Sequence, residues 1–137
     1  MKVSQLLSEL LNEASVTTYE AVVHDKDEPF PVGYNGMIRG DSVDEINSKL
    51  KKSQRVSRLT SFTRNGAFRS KNDNVSHDTL DPLLACHPGF YAKSRQDCMA
   101  GPYPSLEALE EAIEKHKPKG YSVTMWEKSG RQSKMVS

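Results

Sequence analysis

Along the first thirteen residues the apolar positions recur at helical spacing. Val3, Leu6, Leu7, Leu10 and Leu11 fall at i, i+3, i+4, i+7 and i+8, with Ser4, Gln5, Ser8, Glu9 and Asn12 opposite. The pattern predicts an amphipathic helix over residues 1–13. The period then changes. Val16-Thr17-Thr18-Tyr19-Glu20-Ala21-Val22-Val23 is β-branched and aromatic, which suits a pleated, half-buried surface and predicts a strand. Asp25 to Gly36 holds two Pro and two Gly among acidic residues and reads as a loop or hairpin connection.

Ser42 followed by Glu45 fits a capping box, and Val43, Ile46 and Leu50 supply an apolar stripe, so a helix is predicted from Val43 to Lys52. Residues 55–64 read as a strand, with Asn65-Gly66 as a turn and Ala67-Phe68-Arg69 beginning a return. Residues 70–78 are polar and read as a loop, and Asp81-Pro82 caps a short helical turn carrying Leu83 and Leu84. Gly89-Phe90-Tyr91-Ala92 predicts a strand, with room for another before Gly101. Ser105 caps a helix whose Leu106, Leu109, Ala112 and Ile113 face inward, and Lys117-Pro118-Lys119-Gly120 stops it. Tyr121, Val123 and Met125 alternate with Ser122, Thr124 and Trp126 in a last strand.

Two stretches are loosely alike, SVDEINSKLKKSQRVSRLTSF and SLEALEEAIEKHKPKGYSVTMW: each is a Ser-capped helix, a basic stop and a strand. The expected fold is α+β. A small antiparallel sheet carries two helices on one face, in a split β-α-β or ferredoxin-like manner, preceded by the N-terminal amphipathic helix. Residues 14–128 would make one domain, in keeping with a chain of 137 residues, and residues 129–137 a flexible tail.

Charge adds a second pattern. Residues 1–48 carry three basic and nine acidic side chains, whereas residues 49–71 carry eight basic and no acidic ones. That basic segment comprises Lys49, Lys51, Lys52, Arg55, Arg58, Arg64, Arg69 and Lys71. On the predicted strand Arg58, Phe62 and Arg64 share parity and would emerge on one sheet face, where arginines beside an aromatic ring suit phosphates and a stacked base. The patch would equally suit an acidic protein partner. No apolar run approaches the length of a bilayer span, so no membrane partner is expected, and the opening segment lacks the continuous apolar run of a secretory signal.

Catalytic and metal signatures are weak. Cys86 and Cys98 are the only cysteines, and with nothing else pointing to secretion they read as reduced thiols. Cys86 precedes His87, but chain neighbours seldom align as nucleophile and base. His77, Cys86, His87 and Cys98 are zinc-ligand types without the close spacing that clasps the ion. The acidic run His24 to Glu28 lacks the glycine and spacing of a calcium loop. Arg39-Gly40-Asp41 reads as a turn ahead of a helix cap. No enzyme activity, metal or cofactor is expected.

One segment has a specific likeness. MKVSQLLSELLNEASV resembles the capsid-targeting leader of internal head proteins from T-even-type bacteriophages. Those leaders are short amphipathic helices that the prohead protease removes by cutting after a Glu, with an aliphatic residue two positions before it and a small residue after it. Leu11, Glu13 and Ala14 match that pattern. The resemblance implies that residues 1–13 engage the prohead scaffold or protease. The body would travel inside the virion with the genome and enter the host cytoplasm. It would act by binding, as an inhibitor of a host defence protein or as a DNA-associated component of the head. A helix of this length is marginal alone in water and would order on its partner. Without the leader, a cytoplasmic nucleic-acid-binding module built on residues 49–71 is the alternative. GPYPSLEALEEAIEKHKPKGYSVTMW is in turn similar to the repeat unit of SPOR-type peptidoglycan-binding domains, a likeness of β-α-β geometry; that family is generally periplasmic.

Overall fold

The structure is a computed structural model that describes residues 15–31, 33, 35–65 and 75–136. The predicted helix over residues 1–13 lies outside them, as do Leu11, Glu13, Ala14, Arg69 and Lys71. Eight strands and two helices follow in the order β1 (Ser15–Asp25), β2 (Gly36–Gly40), α1 (Val43–Lys49), β3 (Gln54–Asn65), β4 (Val75–Leu80), a 3-10 turn (Pro82–Ala85), β5 (Gly89–Ser94), β6 (Asp97–Tyr103), α2 (Leu106–His116), β7 (Thr124–Ser129) and β8 (Gln132–Met135).

The expected single sheet with two helices on one face is therefore corrected. The chain is predominantly β and forms two antiparallel four-stranded sheets, ordered β2-β1-β3-β4 and β6-β5-β7-β8. The ferredoxin-like reading fails because it missed β2, β4 and β8, three edge strands. Residues 75–78, within the stretch 70–78 read as loop, belong to β4. Residues 129–137, read as a flexible tail, contain β8 paired on β7.

Both sheets are built alike. A hairpin is followed by a helix, then a strand returning antiparallel beside the first, then a fourth strand beside the third. The two stretches that look alike in sequence occupy equivalent places, α1 with β3 and α2 with β7. Their helices begin in the same way. Ser42 and Ser105 are extended, and each hydroxyl accepts from a backbone N–H three residues on, at 3.0 Å from Glu45 and 3.1 Å from Ala108. The molecule is a tandem pair of ββαββ units.

The inner face of the first sheet (Tyr19, Ala21, Val23, Ile38, Val56, Leu59) packs with Ile46 and Leu50 of α1, Leu83 and Ala85 of the 3-10 turn, and Tyr91, Cys98 and Trp126 of the second sheet. The other face of the second sheet (Phe90, Ala92, Ala100, Met125) takes α2 through Leu106, Leu109 and Ile113. Fully burying a residue such as Leu109 stabilises the fold by about 1.5–3 kcal/mol. Thus both faces of the second sheet are covered, whereas the first sheet has a helix side and an opposite side that, among the described residues, is largely open.

Candidate nucleic-acid interface

The open face follows from strand alternation. Residues directly opposite one another on paired strands share a face. Along β3, Arg58, Thr60, Phe62 and Arg64 stand opposite Val22, Glu20, Thr18 and Val16 of β1. Their neighbours Leu59 and Ser61 are buried on the other side. Met37 and Arg39 of β2 oppose Val22 and Glu20, and His77 and Thr79 of β4 oppose Phe62 and Thr60. Phe62 and His77 meet edge to face with ring centroids 4.7 Å apart. The result is a surface of arginine, threonine and an aromatic pair, with Val16 and Met37 exposed beside them.

Two of its guanidinium groups are held by carboxylates. Arg39 Nε lies 2.9 Å from Glu20 Oε1. Arg58 grips Asp97 of β6 through Nε and Nη2, both at 3.0 Å, and that hydrogen-bonded carboxylate raises the arginine pKa above its ordinary value. Arg58 remains 58 % exposed. These pairs leave most of the five N–H donors of each guanidinium available, and an exposed pair is worth only about 0–1 kcal/mol, so a phosphate can compete for the arginine.

The other described cations of the basic segment, Lys49, Lys51, Lys52 and Arg55, do not join the exposed part of this face. Arg55 is the main correction: it is 0 % exposed and cannot meet a partner at the surface. Its guanidinium donates to the carbonyls of Cys98 (3.2 Å), Asp25 (3.0 Å), Glu28 (2.9 Å) and, at 3.4 Å, Gly101. It ties the end of β1 and the following loop to β6. A bulge puts it on the same side of the sheet as His24 and Arg58, where β6 and the loop after β1 cover it. Val22 pairs with Arg58 but Val23 pairs with Val56, so Ser57 is the extra residue and the alternation of β3 reverses there. Lys49 reaches back to the Arg39 carbonyl at 3.1 Å and to Glu45, and Lys51 and Lys52 lie in the exposed turn after α1.

Where the open face ends, against β6, a crevice of about 220 Å³ forms between the two sheets. Its polar lining is His24, Ser57, Arg58 and Asp97, and its apolar walls include Val22 and Met99. His24 opposes Arg55 on β1, is 4 % exposed, and its Nδ1 has no hydrogen-bond partner among the described residues. Burial, and then the Arg55 charge, lower its pKa, with Glu28 acting the other way. The ring is therefore neutral near pH 7. His24, Ser57 and Asp97 carry no motif that marks them in the sequence; only the bulge and the packing of β6 bring them together.

Cys86 and Cys98 are free, and both are buried in the first core. Burial pushes the Cys98 thiol well above its usual range. A ring nitrogen of His87 lies 2.7 Å from the Leu50 carbonyl, while His77 stands on the open face. Among the described residues no three His, Cys, Asp or Glu side chains converge on a metal-sized site, and no helix is long and apolar enough to cross a membrane. No family model, curated relative or solved structure matches this chain.

Proposed function

We propose that this protein works by binding and that the open face of the β2-β1-β3-β4 sheet takes single-stranded nucleic acid. One observation carries the reading: Arg58, Phe62 and Arg64 lie along one exposed sheet face with His77 against Phe62. An extended strand can lay its phosphates along such arginines and stack a base on the aromatic ring, without sequence preference. The neighbouring Thr18, Thr60 and Thr79 add hydroxyl groups. Fluorescence anisotropy with a short labelled single strand tests it. Affinity is expected to fall steeply with salt, and Arg64→Ala to shallow the log–log slope by about 0.7 for each phosphate no longer neutralised. Phe62→Ala is expected to weaken binding by about 1–3 kcal/mol. Absence of binding at low salt, or binding that neither substitution alters, would remove this face from consideration.

A second reading concerns delivery. The pattern at Leu11, Glu13 and Ala14 is the observation that favours it. On this reading residues 1–13 carry the protein into a bacteriophage prohead, and the body acts after delivery on a host defence protein or on nucleic acid. The intact mass of the protein from its natural source decides it. A chain beginning at Ala14 supports packaging, and one that keeps Val3 to Glu13 rules it out.

A further inference from the structure

The crevice at the end of the open face has the size and lining of a ligand site. A dry cavity of about 150 Å³ accommodates benzene, and drug-sized ligands need roughly 300 Å³ or more. At about 220 Å³ the crevice falls between them, which suits one planar heterocycle. Its walls are of two kinds. Val22 and Met99 offer apolar surface to a ring, while His24, Ser57, Arg58 and Asp97 bring donors and acceptors to its edge.

The chemistry favours a neutral guest. The Asp97 carboxylate already holds Arg58 in a bidentate pair, so the charge at the mouth is balanced. Burial and the Arg55 charge keep His24 uncharged, which leaves its ring one donor and one acceptor. A phosphate in the crevice would have to compete with the Asp97 carboxylate for Arg58 and would find a neutral imidazole beside it. A base would meet hydrogen-bonding partners and apolar walls, the two features by which an unstacked base is held. Location matters as well. Arg58 belongs to both the crevice and the open face, and Arg64 lies six residues along β3, roughly 20 Å away at strand rise.

We infer that this crevice receives one unstacked base of the strand lying on the open face, with His24 and Ser57 at its edge. The inference rests on the nucleic-acid reading above and adds a single position at which base identity is sensed. Arg58 then positions the strand at the crevice mouth, and Phe62 stacks a base farther along.

A walk of a single abasic site along a short single-stranded oligonucleotide tests this with the full chain, by anisotropy. One position is expected to cost about tenfold or more in affinity beyond its neighbours, in addition to any loss from the Phe62 stack. In His24→Ala that position is expected to become equivalent to the others, while the salt dependence is unchanged. If His24→Ala does not fold, Ser57→Val serves, because it changes a wall of the crevice and leaves His24 in place. A flat walk on a strand that does bind the wild-type chain overturns the crevice alone. A peak that survives both substitutions places the sensed base elsewhere and overturns it too. Failure of any strand to bind takes down the crevice together with the reading it rests on.

Discussion

Arg55 brings a positive charge into the interior and, among the described residues, hydrogen-bonds there to carbonyl oxygens alone, those of Asp25, Glu28, Cys98 and Gly101. A fixed, planar fork of donors can satisfy several segments at once, which a lysine could not do from one ammonium. Arg55→Met is expected to lower stability by roughly 3 kcal/mol, since it leaves several buried acceptors without donors. The shift in the urea midpoint at constant m-value measures it, and a loss under about 1 kcal/mol would mean that water replaces the guanidinium at little cost. His24, its neighbour across the strand pair, gives the molecule a pH dependence. Its folded pKa is lowered, by burial first and by Arg55 second, so below about 6.5 the unfolded chain binds a proton more readily than the folded one. Stability is therefore full above that value, and falls as pH drops through 6.5 towards the folded pKa. Comparing urea midpoints at neutral and mildly acid pH for wild type and His24→Gln checks the sign: the substitution is expected to flatten that part of the profile. A midpoint that rises on acidification and is levelled by His24→Gln would contradict it.

At the scale of elements, the same serine cap opens both helices, although the two are of unequal length and lie in different surroundings. Ser105 satisfies a donor in the first turn of α2, where Glu107 also faces the helix N-terminus. Ser105→Ala is expected to cost about 1 kcal/mol in chemical denaturation, and Ser105→Gly only a few tenths. Equal losses would mean that the hydroxyl does something other than cap. Caps and amphipathic stripes were legible because they are local: Ser42 with Glu45, and Leu106 with Leu109 and Ile113, lie within one or two turns of chain. Strands β1, β3 and β5 were legible because a sheet side buries their apolar residues. The strands that went unread, β2, β4 and β8, are edges with one neighbour each. Arg39 on β2, His77 on β4 and Lys134 on β8 are exposed, so no period-two apolar pattern marks them. β6 is also an edge, yet Cys98 and Ala100 are buried in the two cores, and its segment did suggest a strand.

For the whole molecule, two ββαββ units make an unequal pair. The helix-free face of the second sheet is covered by the first unit, whereas the helix-free face of the first sheet is covered by no described element over most of its length. That asymmetry leaves an exposed sheet face in the first unit, and the junction between units supplies the crevice at its end. The likeness between the segments around Ser42 and Ser105 was visible along the chain. Its meaning as a repeated unit was not, because the repeat is completed by edge strands of different composition.

Residue order alone settled the helix caps, the apolar stripes, the central strands and the clustering of cations in residues 49–71, since each depends on neighbours a few positions apart. Arg58, Phe62 and Arg64 owe their shared parity to the same local alternation. Only tertiary structure decided which cations meet solvent. A one-residue bulge at Ser57 turns Arg55 to the side of His24 and Arg58, and the approach of β6 buries it there, pairs Arg58 with Asp97 across 39 residues and closes a crevice around His24. Such outcomes depend on partners far away in the chain, whose register a single strand does not encode.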